Sequence, residues 1–141
     1  MPYNTAIKVS AIGLGQILNQ ITNISLEDQT FNFSESYGSV CRGCTRSFKE
    51  QYSFKIYDPN QIKGFTINGF RDDNIELIIN GTRIYESCAD GHEYSENTNS
   101  FYLELSNSLI YSILKNQNTL DVNLFDWGGA SNFNVTLTVN Y

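Results

Sequence analysis

The chain has 141 residues, of which 40% are hydrophobic and only 17% charged, so we expect one globular domain rather than a disordered chain. Nine Lys and Arg against 15 Asp and Glu leave a net charge of −6 without any basic run, which argues against a nucleic-acid partner. No segment approaches the ~18 apolar residues that span a bilayer, and no secretion signal is evident, so we expect neither membrane insertion nor signal-directed export.

The first 40 residues predict a segment separate from the main domain. Ser10 is placed as the N-cap of a small helix. The buried face of that helix would hold four apolar residues at helical spacing: Leu14, Ile17, Leu18 and Ile21. Farther along, "FNFSESYG" is interpreted as an extended step closed by a turn, which Ser34 caps and Gly38 ends. We therefore predict a docking segment over residues 1–40.

From residue 45 onward the hydrophobic period changes to two, which is typical of strands. The clearest element is a hairpin over residues 74–87, in which Asn80-Gly81 has the composition of a type I′ turn. "GFTINGF" (64–70) is interpreted as a short strand that meets a second Asn-Gly. Further strands are predicted over 46–58, 100–106, 119–127 and 132–141. Residues 107–118 predict a short helix with Asn107 or Ser108 as its N-cap. The chain is thus predicted to be mainly β, with an antiparallel jelly-roll-like β-sandwich over residues 41–141.

Three cysteines and the only histidine form two short pairs. Cys41 and Cys44 are separated by two residues, and Cys88 and His92 by three. Two such pairs supply the ligands of a tetrahedral zinc site, so one prediction is a structural Zn bound by these four side chains, closed to catalytic water. Two alternatives stay open, namely a disulfide within the set or free thiols that pack as small apolar residues.

Two loops carry side chains that could recognise a sugar or calcium. Asp72 and Asp73 begin a predicted strand, where carboxylates could bind Ca or a sugar hydroxyl, although solvated turn residues look the same. Asp126 precedes Trp127, the only tryptophan, and an indole beside a carboxylate suits the apolar face and the hydroxyls of a sugar. Trp127 could instead pack over the end of the sandwich. These four residues are the candidate ligand-binding set.

Recognisable catalytic patterns are missing from the sequence. It has no G-x-S-x-G, no phosphate loop, and no Ser or Cys with an identifiable base partner. Paired carboxylates for glycoside hydrolysis would need a separation that the sequence does not fix. We therefore expect that the chain is not an enzyme.

Two parts of the chain resemble known families. The stretches "IKVSAIGLGQILNQI", "ISLEDQ" and "FNFSESYGS" resemble a recurring segment of small tail and fibre-associated proteins of tailed-bacteriophage virions. That resemblance rests on Ile7, Val9, Ser10, Ile24, Ser25, Leu26, Phe33, Ser34, Tyr37 and Gly38. Residues 44–87 and 114–139 look like a galactose-binding-like jelly roll and are similar to the sandwich module of TraN-type adhesins.

The resemblances imply a structural component of a tailed-phage virion, at the tail, baseplate or fibre. Such a protein assembles in the host cytoplasm, docks by its N-terminal segment and displays a β-sandwich. Its partners would be other virion proteins and copies of itself. Because the galactose-binding-like fold also serves sugar recognition, the alternative is a carbohydrate-binding module or adhesin that contacts host-surface glycans.

Overall fold

The computed structural model describes residues 25–87 and 100–141. These ranges form eight strands, one turn of 3₁₀ helix and one short α-helix. The strands are β1 Gln29–Val40, β2 Arg46–Lys55, β3 Gly64–Asp72, β4 Asn74–Ile79, β5 Thr82–Glu86, β6 Ser100–Glu104, β7 Gln117–Asp126 and β8 Gly129–Asn140. The helix α1 spans Asn107–Ile113, and the 3₁₀ turn spans Pro59–Gln61. None of the helices within these two ranges has the length and apolarity needed to cross a bilayer.

The strands form two four-stranded antiparallel sheets packed face to face. Sheet A has the order β1-β8-β3-β6, and sheet B has the order β2-β7-β4-β5. This is the strand order of an eight-stranded jelly roll. The prediction of a mainly β, jelly-roll-like sandwich is confirmed.

The core lies between the sheets because alternate residues of each strand are apolar and point inward. Phe65 and Ile67 of β3 and Leu137 of β8 are fully buried on the sheet A side, and Leu77 and Val122 are fully buried on the sheet B side. Burial of each such side chain contributes about 1.5–3 kcal/mol relative to leaving it in water. The alternation that predicted the strands is thus the pattern that builds the core.

The structure corrects the interpretation of residues 29–40. They form β1, an edge strand of sheet A that pairs with β8 from Gln29 opposite Val139 to Val40 opposite Gly129. Ser34 and Gly38 are exposed positions within this strand and do not cap or end a turn. The sandwich therefore includes residues that the prediction gave to the docking segment. The predicted helix, with Ser10 as its cap, lies outside the described residues.

An aromatic ladder joins β1 to β2, the facing edge strands of the two sheets. Phe33 stacks on Tyr52 with ring centroids 4.6 Å apart, and Tyr37 stacks on Phe48 at 3.6 Å. The Tyr37 hydroxyl donates to Glu50 Oε1 at 2.9 Å. Stacked rings and a hydrogen bond to a carboxylate both favour association of the two strands. The ladder therefore closes this side of the sandwich.

The hairpin over residues 74–87 is confirmed, but the second Asn-Gly is not a turn. Asn80 and Gly81 have positive φ angles of 49° and 84°, as a type I′ turn requires. In contrast, β3 continues through Gly69. A Cβ at Gly69 would lie only 1.9 Å from the backbone oxygen of Asn134 on β8, so glycine is needed there for close strand approach.

The short helix is also present, one residue out of the predicted register. Ser106, rather than Asn107 or Ser108, is the N-cap of α1, and its Oγ accepts from Leu109 N at 3.3 Å. Ile110 and Ile113 face the core. The helix thus covers the end of the sandwich between β6 and β7.

Candidate binding site

The four candidate ligand residues lie together at one end of the sandwich. Asp72 ends β3 and Asp73 connects it to β4, whereas Asp126 ends β7 and Trp127 follows it. The backbone N–H of Trp127 donates to Asp73 Oδ2 at 2.7 Å and ties the two loops together. Residue type alone suggested these four residues, and the jelly roll brings them into one cluster.

Asp126 is a buried ion-pair partner and cannot touch a ligand at the surface. Its side chain has no exposed area, and its Oδ2 accepts from Arg46 Nε at 2.5 Å. Its Oδ1 accepts from the backbone N–H of Gly128 at 2.9 Å. Arg46 also donates to the backbone oxygen of Gly129 at 3.1 Å. The predicted sugar contact of Asp126 is therefore corrected to a structural role, because both of its oxygens are already used inside the fold.

The two neighbouring carboxylates differ in exposure. Asp73 is 8% exposed and accepts a hydrogen bond from the backbone N–H of Trp127, whereas Asp72 is partly exposed to solvent. Burial raises the pKa of Asp72 to about 6, and a hydrogen bond with Asp73 and repulsion from Asp73 and Asp126 act in the same direction. Asp72 is thus the carboxylate of this cluster that can still exchange a proton or meet a ligand.

Trp127 is half-buried and held at the same end. Its ring meets Phe125 edge-on, with centroids 4.9 Å apart, and its carbonyl accepts from Gly43 N at 3.1 Å. The contact buries part of the indole against Phe125, a residue of the outer face of sheet B. Trp127 as a residue nevertheless remains partly exposed.

The turn between β1 and β2 contains a disulfide between Cys41 and Cys44. Cys44 N donates to the Cys41 carbonyl at 3.0 Å, and a Cβ at Gly128 would lie 2.6 Å from that same oxygen. The turn therefore packs tightly on the loop that carries Trp127. A disulfide is one of the alternatives that the sequence left open.

The described residues provide no ligand set for the predicted zinc or calcium. Cys88 and His92 lie outside the described residues, so the four-ligand Zn site stays a prediction. Within residues 25–87 and 100–141, no three His, Cys, Asp or Glu side chains are grouped so that they could hold a metal ion. Calcium at Asp72 and Asp73 likewise stays a prediction.

A groove of about 400 Å³ opens on the outer face of sheet B, close to this cluster. Phe125 and Asn123 of β7 and Glu76 of β4 line it, together with Lys49 of β2. Asn123 Nδ2 donates to Glu76 Oε1 at 2.8 Å. The groove thus combines charges of both signs with two aromatic residues, Phe48 and Phe125.

The groove and the arginine that neutralises Asp126 were not predicted from the sequence. The alternation of side chains along β7 gave one signal. If Leu120, Val122 and Leu124 face the core, then Asp126 also points inward and Phe125 points outward. For Arg46 there was no signal, because it lies 80 positions from its partner. Only the pairing of β2 with β7 places the two opposite each other.

No protein-family model matches this chain, and no curated protein matches it significantly. Among solved structures, it is similar to wild-type BuGH86 in complex with neoagarooctaose, with 16% identity and a TM-score of 0.33 over 82% of this chain and 19% of that one. A BuGH86 variant with the same ligand gives 16% identity and a TM-score of 0.33, over 83% and 20%. The chain thus spans about a fifth of the length of these structures. A TM-score this low assigns neither fold nor function.

Proposed function

We propose that the chain is a non-enzymatic structural protein of a tailed-phage virion, which docks at the tail, baseplate or fibre and displays its jelly roll. The observation that carries this proposal is the extent of the sandwich. Once β1 joins sheet A, residues from Gln29 to Asn140 supply both sheets of the fold. We therefore assign docking to the part of the chain before β1, where most of the virion-like residues lie.

Most carboxyl groups of the acidic cluster are already bonded to partners within the fold, which supports a role without catalysis. Asp126 is neutralised by Arg46, and Asp73 accepts from the Trp127 amide. Glycoside hydrolysis uses two carboxyl groups about 5–10 Å apart that both reach the substrate. This cluster offers only Asp72 for such contact, so we propose display and binding rather than hydrolysis.

Mass spectrometry of gradient-purified particles tests the virion proposal. Peptides of the chain should be present in the particle, in several copies. A chain without residues 1–24 is the matched control. It should keep the circular dichroism of the sandwich but should not be incorporated. Absence of the full-length chain from purified particles would overturn the proposal.

The second candidate function is contact with host-surface glycans, as a carbohydrate-binding module or adhesin. It is favoured by the position of Trp127 and Asp72, which both keep exposed surface at the same end of the sandwich. A glycan array with and without a chelator tests binding and its dependence on calcium. Trp127→Ala should weaken binding if the ligand lies at this end; binding equal to wild type would exclude this location.

A further inference from the structure

The outer face of sheet A is almost free of charge, although the chain carries a net charge of −6. Outward-facing residues at alternate positions over 30–36 of β1 and 132–138 of β8 are all Ser, Thr or Asn. β3 continues this chemistry with Thr66 and Asn68. We call the outward side chains of β1, β8, β3 and β6 the sheet A outer face. Its carboxylates are Glu104 on β6 and Asp72 at the end of β3.

Two aromatic rings stand on this neutral surface. Tyr102 on β6 lies opposite Asn68 on β3, and Phe70 lies two residues farther along β3, on the same face. Such diagonal neighbours are roughly 7–8 Å apart. Tyr102 is 62% exposed and Phe70 is 37% exposed, so neither ring serves the core. Together the two rings form a small exposed apolar patch on an otherwise polar sheet face.

Hydrogen-bonding groups surround the rings at regular spacing. Asn32, Thr136 and Asn68 form a row across three strands that ends at Tyr102. The next row contains Asn134 beside Phe70. Asn68 and Asn134 are exposed, so their amides can both donate and accept. The outer face of sheet B differs, since it carries Lys49, Glu76, Arg83, Glu86 and Asp121.

We infer that the sheet A outer face binds an extended neutral glycan. Sugar rings have apolar C–H faces that stack on Tyr102 and Phe70, and their hydroxyls pair with the amides and hydroxyls in the adjoining rows. An acidic polymer would require basic side chains, which this face lacks. A pleated sheet face is open, so a chain of sugars contacts more of it than a single sugar. The inference rests on the proposed glycan-binding function, but it places the ligand on the sheet A outer face rather than at Trp127, and it adds a ligand class.

The test measures binding of the full chain to neutral hexasaccharides by calorimetry. The probes are cellohexaose, maltohexaose, mannohexaose and xylohexaose, with polygalacturonate as the acidic comparator. We expect at least one neutral probe to bind, with little change in affinity on added salt because no charge takes part. Tyr102→Ala should weaken that binding about tenfold, as is typical of an aromatic anchor.

Matched variants separate a lost contact from a damaged fold. Tyr111 on α1 is 58% exposed and lies outside the face, so Tyr111→Ala should bind as wild type. Tyr102→Phe keeps the ring and should keep most of the affinity. Unchanged unfolding midpoints would show that the variants are folded.

Three results would overturn the inference. If a neutral glycan binds but Tyr102→Ala and Phe70→Ala bind as wild type, the glycan function stands and its surface is elsewhere. Binding of polygalacturonate alone would refute the neutral ligand class. If no probe binds and Tyr102→Ala abolishes self-association in sedimentation, the face is an interface between copies. None of these results depends on whether the chain is found in virions, so the virion proposal fails or stands separately.

Discussion

Nε of Arg46 lies 2.5 Å from Oδ2 of Asp126, whose side chain is completely buried. The two residues are also direct strand partners, at the start of β2 and the end of β7. An acid that the sequence offers as a sugar ligand therefore holds two strands of sheet B together.

The first prediction concerns this ion pair. Asp126→Ala leaves the Arg46 guanidinium and the Gly128 amide without their acceptor, so the free energy of unfolding should fall by about 3 kcal/mol. Urea denaturation measures the change. Arg83→Ala is the control, because Arg83 is exposed and its pairs with Glu76 and Glu86 should contribute less than about 1 kcal/mol. Equal losses in both variants would show that Asp126 is not a structural residue.

Sequence alternation was sufficient to predict most of the fold, because it is a local signal. It located the 74–87 hairpin and the strands that carry Ile67, Val122 and Leu137, whose inward faces form the core. It failed for β1, where Glu35 occupies an inward position between Phe33 and Tyr37. Glu35 is accommodated there because the Tyr52 hydroxyl of the other sheet donates to it at 3.2 Å, a contact that depends on the tertiary fold.

The candidate site was predictable in its membership but not in its roles. The types of Asp72, Asp73, Asp126 and Trp127 indicated a polar cluster, and chain topology brought them together. Which carboxylate is buried depends on strand parity and on Arg46, which lies far away in the sequence. The neutral face around Tyr102 was missed because it consists of unremarkable Ser, Thr and Asn residues, which form a surface only when four strands align.

The second prediction concerns the aromatic ladder between β1 and β2. Tyr37→Ala removes a ring stacked on Phe48 and the donor to Glu50, and should lower the free energy of unfolding by about 3 kcal/mol. Tyr37→Phe keeps the stacking and should lower it by about 1 kcal/mol. Chemical denaturation followed by circular dichroism measures both. If Tyr37→Ala is as stable as the surface variant Tyr102→Ala, β1 does not close the sandwich.

The third prediction concerns the close approach of β3 and β8. Gly69→Ala would place a Cβ against the backbone oxygen of Asn134, so we expect a loss of about 3 kcal/mol or more, or failure to fold. Gly38→Ala on β1 is the control, since no atom lies within 4 Å of its Cβ position. Thermal unfolding midpoints compare the two variants. A Gly69→Ala protein with the midpoint of Gly38→Ala would contradict the strand register.

The fourth prediction is a pH dependence at Asp72. Its pKa is about 6 in the folded chain against an ordinary 3.8, so the folded state holds a proton that the unfolded state has released between these values. The free energy of unfolding should therefore fall as pH rises from about 4 to about 6, by about 1 kcal/mol after allowance for solvent screening. Asp72→Asn should lose this part of the slope. Urea titrations at several pH values measure it, and an unchanged slope in the variant would exclude Asp72 as its source.

The fifth prediction separates the disulfide from the zinc site. With Cys41 and Cys44 joined, denatured but unreduced protein should titrate as one thiol out of the three cysteines, and Cys41→Ser with Cys44→Ser should cost about 2 kcal/mol. The zinc hypothesis instead expects three thiols and one equivalent of metal by elemental analysis. Three thiols without zinc would contradict both.

The proposed function requires that this chain displays a jelly roll on a virion and meets its ligand through a surface rather than a catalytic centre. Cryo-electron microscopy of the purified particle tests it most directly. We predict a jelly roll at the particle surface, with the start of β1 toward the particle and the sheet A outer face open to solvent. A particle without this sandwich would contradict the virion proposal, and a sheet A outer face buried against another virion protein would contradict its role in glycan binding.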